Sequence, residues 1–403
     1  MKKKLNFWIF SGEASGDIYG AQLIEEISKI AKQNKNDLTI KIMGGPKMQA
    51  TNKAEVMVDS TELGVVGIFE VLTHIIPFIG IFFKLLKKAR KERPDAVVMI
   101  DYPFFNLLMA KKFTKLNIPV IWYISPQVWA WKKKRIYKLA KYCQKMLVVF
   151  PFETEIYQKT NLETIYVGHP LVDFVRSKLD GSVKREDNKI LLLPGSRTSE
   201  IKRLLIPMLE AITLFSDQQK EQRFHYFIAA PREKSYNQIM EIYSEFKKNN
   251  SNCPDCEIDF GKTTYHQQSA STALAASGTV TVESAIIGLP LVSIYRLHPI
   301  TFLIARVLVT LYRGYFTMVN IIANKTVFEE FVQHQVTGQA LCEALTKIIP
   351  NGVRRAEVEK GMKEVTRLLR SDNNENGISA AERTAQECYK VLSGTSDSDV
   401  TKY

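Results

Sequence analysis

Short apolar runs with strand character alternate with longer helical patterns from the first residues of the chain, and after one interruption the alternation begins again. The early strand-like runs are residues 5–10, 38–43, 95–100, 119–124 and 146–150, and a helix between about 15 and 32 carries Ile18, Ala21, Ile24, Ile27 and Ile30. Strands joined through helices are parallel, because a parallel pair needs a crossover of about a dozen residues or more. Past Phe152 the pattern loosens through "VGHP" at 167–170, a short helical piece and the polar stretch 180–188, which reads as a linker. It resumes with 189–193, a helix from about 199, 224–229, a helix to about 248, 257–260, 272–276, a helix near 280–287, and 290–295. The expectation is an α/β chain of two Rossmann-like parallel-sheet domains, 1–170 and 171–350, with a ligand cleft between them at the carboxyl ends of the strands. A length of 403 residues suits two such domains, and residues 393–403 form a polar tail.

Charge narrows the partners. A formal net charge of +13 favours anionic ones: nucleic acid, an anionic lipid surface or phosphorylated small molecules. Lys2, Lys3 and Lys4 ahead of apolar residues imitate a secretory leader, but the run at 5–10 is shorter than the ~7–15 apolar residues a leader needs, so it reads as the first strand. The longest apolar stretch, 75–83, contains Pro77 and falls short of the ~18–20 residues that span a bilayer, so no crossing is expected. Five cysteines, an odd number without a leader, point to reduced thiols in a cytoplasm.

Two glycine-rich turns each leave a strand and open a helix, and they differ in charge. "SGEASGD" at 11–17 carries Glu13 and Asp17, which repel phosphate. "LPGSRTSE" at 193–200 instead offers Gly195 for close backbone approach, the hydroxyl of Ser196, and Arg197, which can pair bidentately with a diphosphate at a helix N-terminus. A third turn, "SGTVTVE" at 277–283, brings Ser277, Gly278 and Thr279 to another helix start, with Glu283 one turn in for ribose hydroxyls. Together they suit a nucleotide on the second half. In the first half Gly12, Gly16 and Gly20 are spaced by four, so the dinucleotide fingerprint G-x-G-x-x-G is absent. Asp101, in "IDYPFFN" at 100–106, ends a buried strand, a position that faces the cleft.

Three other stretches are ambiguous or inert. "SPQVWAWKKKR" at 125–135 mixes aromatic and basic residues, but no RRM, helix-turn-helix or zinc pattern accompanies it, so anion attraction is read there and not nucleic-acid binding. Residues 63–86, with Val66, Phe69, Leu72, Ile76, Phe78 and Phe82 bounded by Lys84, Lys87, Lys88, Arg90, Lys91 and Arg93, form either a buried helix hairpin or an interfacial patch for an anionic bilayer or acyl chains. "CPDC" at 253–256 lacks a second ligand pair and "DSD" at 397–399 lies in the tail, so no metal is expected.

In this order, "SGEASGD", "SPQVWAWKKKR", "VGHPLVD", "LPGSR" and "SGTVTVESAIIGLPLVSIYR" resemble the lipid-A-disaccharide synthases, over about residues 5–390. The resemblance implies the GT-B fold, with C-terminal helices, residues 351–392, crossing back to the first domain. It implies inverting transfer of 2,3-diacylglucosamine from its UDP derivative to 2,3-diacylglucosamine 1-phosphate (lipid X), giving a β(1→6) disaccharide and UDP, with no cofactor or metal. UDP would sit on the second half, and Asn320, in "MVNII" at 318–322, matches a family position near the sugar nucleotide. The acidic loop would face the acceptor, whose hydroxyl proton needs a base; Glu13, Asp17 and Asp101 are the candidates. The family's strand-end motif is often I-D-x-P-D-F-N with the second Asp favoured as base, and here that position is Phe104, which leaves Asp101 and Glu13 foremost. Because both substrates are acylated, the segment 63–86 implies a peripheral protein of the inner leaflet in a Gram-negative bacterium; a homodimer is left open. A UDP-N-acetylglucosamine 2-epimerase, or a GT-B transferase with a soluble acceptor, is the alternative, and a soluble sugar needs no such apolar segment.

Overall fold

The computed structural model describes residues 3–63, 75–130, 133–298, 302, 312–370 and 377–394. The chain divides into two units, one running to Pro170 and resuming at Arg370, the other Leu171–Leu369. The first unit is built on seven parallel strands: β1 (Lys4–Ser11), β2 (Asp37–Gly44), β3 (Glu55–Asp59), β4 (Ala96–Ile100), β5 (Val120–Tyr123), β6 (Lys145–Val148) and β7 (Glu163–Tyr166). Side chains of a strand alternate between faces, and in β1 both faces are apolar: Leu5, Phe7 and Ile9 enter one core, Trp8 and Phe10 the other. Helices therefore have to cover both sides of the sheet.

Spatial order in this sheet is β3-β2-β1-β4-β5-β6-β7, so the direction of winding reverses between β1 and β4. At such a reversal the loops leaving two neighbouring strands diverge to opposite faces and open a crevice. The second unit repeats the plan with β8 (Glu186–Leu193), β9 (His225–Ala230), β10 (Cys256–Phe260), β11 (Ala270–Ala276), β12 (Leu291–Tyr295) and β13 (Glu330–Val332), in the order β10-β9-β8-β11-β12-β13. Its reversal lies between β8 and β11. The loops after β1, β4, β8 and β11 are those that carry Glu13, Asp101, Arg197 and Gly278.

Three features differ from the sequence reading. Strands β3, β7 and β13 are edge or near-edge strands, short and half exposed, and their weak apolar signal hid them. The polar stretch 180–188 lies inside the second unit, where Asp180 and Gln268 exchange hydrogen bonds of 3.2 and 3.1 Å, and β8 already starts at Glu186. The returning segment is also shorter than 351–392. Helix Arg355–Leu368 stays with the second unit, packing on helices Thr279–Ile287 and Met318–Ala323, and Gly361 permits the approach because a Cβ there would lie 2.8 Å from Val327.

Of the described C-terminal helices, Ala380–Ser393 is the one that joins the first unit. Ser379 caps it by accepting from the Glu382 N–H at 3.0 Å, and Ala385, Cys388, Tyr389 and Leu392 bury into the core that holds Leu5, Phe7 and Ile9. Among the described residues no helix is long and apolar enough to cross a membrane.

Candidate active site

At the first reversal point, Glu13 occupies the N-cap of helix Ala14–Gln33, so its carboxylate lies at the positive end of the helix dipole. The glycines around it serve close packing. A Cβ on Gly12 would sit 2.4 Å from the Tyr102 ring, and one on Gly16 would sit 2.5 Å from the Ser11 hydroxyl. The loop's glycines thus let the β1 and β4 loops press together, which is why a glycine-rich turn can carry acids. Gly12→Ala is expected to displace Tyr102 and its neighbour Asp101, lowering kcat by about 100-fold, as an ångström-scale misplacement does, with UDP affinity unchanged. Steady-state kinetics beside a UDP titration checks this.

After β4, Asp101 and Tyr102 both adopt left-handed backbone, with φ of 44° and 47°, a conformation that costs a non-glycine residue about 1–3 kcal/mol. The turn is clamped. The Asp101 N–H donates to the Tyr123 carbonyl at 3.0 Å, and the buried Asn106 amide donates to the Asp101 carbonyl at 2.7 Å and to the Ile100 carbonyl at 3.3 Å. Burial, and then the charge of Glu13, push the Asp101 carboxyl up to about 7, against a hydrogen bond from the Tyr102 backbone. Burial raises Glu13 as well. Beyond β6, Glu153 is 1% exposed and accepts from the Phe150 N–H at 3.2 Å; burial pushes it up to about 8, opposed by hydrogen bonds from Phe150, Val149 and Trp129, with Asp101 adding to the rise. Asp101 is thus raised by Glu13 and in turn raises Glu153, and a carboxyl pushed up to about 7 lies where a general base works best.

Two of the expected positions resolve differently. Asp17 is 4% exposed, and its carboxylate accepts from the N–H groups of Gly45 at 2.8 Å, Lys47 at 2.8 Å and Met48 at 3.1 Å. It caps the short helix Pro46–Gln49 and leaves the set of candidate bases. Phe104 is 67% exposed, its ring 5.7 Å from that of Phe78, so the place where the family often has a carboxylate is here aromatic surface. Phe78 and Phe82 project from helix Ile75–Glu92 onto Phe105, at ring separations of 5.0 and 6.4 Å. Val66, Phe69, Leu72 and the side chain of Ile76 lie outside the described residues, as do Trp131 and Lys132.

At the second reversal point, Gly195 has φ of 107° and leads through Ser196 to Arg197, the N-cap of helix Thr198–Gln218. Arg197 is 78% exposed, and its guanidinium donates to Glu200 at 2.8 Å. Tyr295, at the end of β12, feels both: burial raises its hydroxyl, Glu200 adds to the rise and Arg197 opposes it. In the adjacent loop the Ser277 N–H donates to the Ile294 carbonyl at 2.8 Å, while Gly278 and Thr279 are exposed at the start of helix Thr279–Ile287. A Cβ on Gly278 would meet no atom within 4 Å, which leaves its backbone open to approach. Glu283 is held above the usual carboxylate range by burial, with Lys178 opposing.

Asn320 takes an indirect place. Its amide nitrogen donates to the Phe328 carbonyl and to Glu330, both at 2.8 Å, and its oxygen accepts from Val327 at 2.8 Å and Phe328 at 3.0 Å. That is the full capacity of the group. Glu330 in turn accepts from the N–H groups of Phe316 at 3.0 Å and Thr317 at 2.7 Å, so Asn320 fixes the segment 316–330, and Phe316 lies 5.9 Å ring to ring from Tyr295. Among the described residues no group of three His, Cys, Asp or Glu side chains could hold a metal. Glu153, Asn106, Glu200 and Tyr295 are not singled out by sequence; the last three sit in the quoted motifs, and Glu153 becomes visible only through contacts.

The lipid-A-disaccharide synthetase family matches residues 7–384. The lipid-A-disaccharide synthase of Koribacter versatilis is 34% identical over 398 residues, covering 96% of this chain and 98% of that protein. That of Nitrosococcus oceani is 33% identical over 367 residues, covering 87% and 89%. Among solved structures, the UDP-GlcNAc 2-epimerase from Neisseria meningitidis bound to UDP-GlcNAc aligns with a TM-score of 0.57 at 12% identity, over 97% of this chain and 100% of that one. The glycotransferase of kitacinnamycin aligns at 0.60 and 12% identity, over 97% of this chain and 100% of that one. At such identities the two structures speak for the fold alone, whereas the sequence matches run nearly end to end. The chain belongs to the lipid-A-disaccharide synthase family, glycosyltransferases of the GT-B fold.

Proposed function

We propose that the chain transfers 2,3-diacylglucosamine from its UDP derivative to 2,3-diacylglucosamine 1-phosphate, with inversion, and that Asp101 is the base. The observation that carries the assignment is the clamped left-handed turn that holds the Asp101 carboxyl beside Glu13, poised at about 7. Ionised Asp101 takes the proton of the acceptor hydroxyl as its oxygen bonds to the anomeric carbon, and the bond from that carbon to the UDP oxygen breaks on the opposite side. The charge gathering on the departing diphosphate is met by Arg197 and by the exposed amides that open helices Thr198–Gln218 and Thr279–Ile287. Glu283 is assigned to the ribose hydroxyls. Gly195, Ser196, Ser277, Gly278 and Thr279 supply the backbone and hydroxyl contacts around them. The exposed Ile79, Phe83, Phe104 and Leu108 support contact with acyl chains or an inner-leaflet surface, with both substrates held there.

Incubation with both lipid substrates is expected to give a tetraacyl disaccharide 1-phosphate and one UDP per disaccharide, read by mass spectrometry and a UDP assay. A 2-epimerised sugar nucleotide without disaccharide would overturn the assignment.

A further inference from the structure

Glu200 is bound up with the diphosphate-binding turn in a way that helix capping alone does not require. Its carboxylate accepts from the Ser196 N–H at 3.2 Å, from the Arg197 N–H at 3.3 Å and from the Arg197 guanidinium at 2.8 Å. These are the donors assigned above to the diphosphate. The turn is shaped around the carboxylate as well, since Gly195 is left-handed and a Cβ there would lie 2.7 Å from the Glu200 Oε2. Arginine has donors only, so Arg197 at the N-cap cannot accept from the amides of the turn, and the Glu200 carboxylate takes the Ser196 and Arg197 N–H groups in its place. A carboxylate and a phosphate serve those amides equally well, and their charges keep both from being there together.

Resting on the placement of the diphosphate given above, we propose that Glu200 is an intramolecular competitor of the diphosphate: its carboxylate holds the donors of the turn, yields them as the sugar nucleotide binds, and retakes them to expel UDP. Two properties follow. Apparent affinity for UDP is weaker than the intrinsic affinity of the turn, by the fraction of time the donors are free. Displacement also discriminates by charge, because a diphosphate offers Arg197 and the amides more than a monophosphate does. While Glu200 holds the guanidinium, Arg197 is kept pointed over the turn although most of its surface is in water.

Calorimetric titration of the full chain with UDP tests this. Glu200→Gln keeps an oxygen for the amides but loses the charge, so it is expected to bind UDP about fivefold more tightly than the parent chain, while UMP affinity changes less. In turnover it shows stronger inhibition by added UDP and a lower kcat, as release slows. Unchanged or weakened UDP binding in Glu200→Gln would overturn the proposal and leave Glu200 as a cap that positions Arg197. Should that variant fail to fold, Glu200→Asp, whose shorter reach loosens the same three contacts, carries the same expectation and the same refutation. Arg197→Ala separates the two levels: it is expected to lose about tenfold or more in UDP affinity. Parent-like UDP binding in Arg197→Ala would remove the diphosphate from this turn altogether, whatever Glu200 does.

Discussion

Replacing Asp101 by asparagine is expected to lower kcat by about 10²–10⁴-fold, the usual worth of a positioned base, while UDP binding stays as it was. The reason for the second half is topological: Asp101 leaves β4 in the first unit, and the nucleotide is assigned to loops of the second. In the parent chain the rate should rise with pH through about 7 as Asp101 ionises. Glu13→Gln removes a charge that raises the Asp101 carboxyl, so the midpoint of that profile should move to lower pH, with turnover retained. A Glu13→Gln variant that is dead at every pH, beside an active Asp101→Asn, would transfer the role of base to Glu13. Stability should respond in the opposite sense to activity. A carboxyl lifted from 3.8 to about 7 on folding holds a proton that the unfolded chain gives up, so its contribution is full below pH 3.8 and is lost as pH rises through about 7. Asp101→Asn keeps a neutral group at all pH values and should therefore melt higher than the parent at pH 8, with the gain vanishing near pH 4. A site that is repaired by losing its function is what strain held for catalysis predicts.

The fold was legible because its strongest strands are buried on both faces. Residues 5–10, 95–100 and 272–276 read as near-continuous apolar or small runs, and each became a central strand of its sheet. The reversal points followed, since Glu13, Asp101, Arg197 and Gly278 each stand one to four residues past such a strand. Individual side-chain roles were less legible. Asp17 looked like a second acid of the reacting centre because it shares a turn with Glu13, yet its partners Gly45, Lys47 and Met48 are 28 to 31 residues away. Asn320 matched a family position, but its four hydrogen bonds all go to its own unit. Helix Arg355–Leu368 was assigned to the wrong unit because its buried stripe, Val358, Met362 and Val365, says that it packs and not against what. Glu153 carried no signal at all: one carboxylate among many becomes distinctive only when burial leaves it no solvent.

The C-terminal helix is secured by a different buried charge, and Lys145→Met should release it. Lys145, on β6, is 5% exposed and bonds Glu387 of helix Ala380–Ser393 and Glu163 of β7, both at 2.8 Å. Burial disfavours its ammonium, but the two carboxylates more than offset this and hold it above the ordinary lysine range. Removing the cation leaves Glu387 nearly buried, with Lys390 at 2.9 Å as its remaining partner. The cost of orphaning one member of such a pair is about 3 kcal/mol, which for a domain of this size lowers the first unit's melting temperature by about 6–12 °C. The loss should be local. Protection of amides from hydrogen exchange is expected to fall in helix Ala380–Ser393 and in β1, whose core it completes, while the second unit exchanges as before. Pairing Lys145→Met with Glu387→Leu separates charge from packing, because an apolar pair of similar volume is often as stable as a buried ion pair. Recovery of most of the lost stability in the double variant would show that the single change acts through the stranded carboxylate; a further loss would mean that the lysine's methylene stem and the fit of the helix, and not its charge, hold the C-terminus in place.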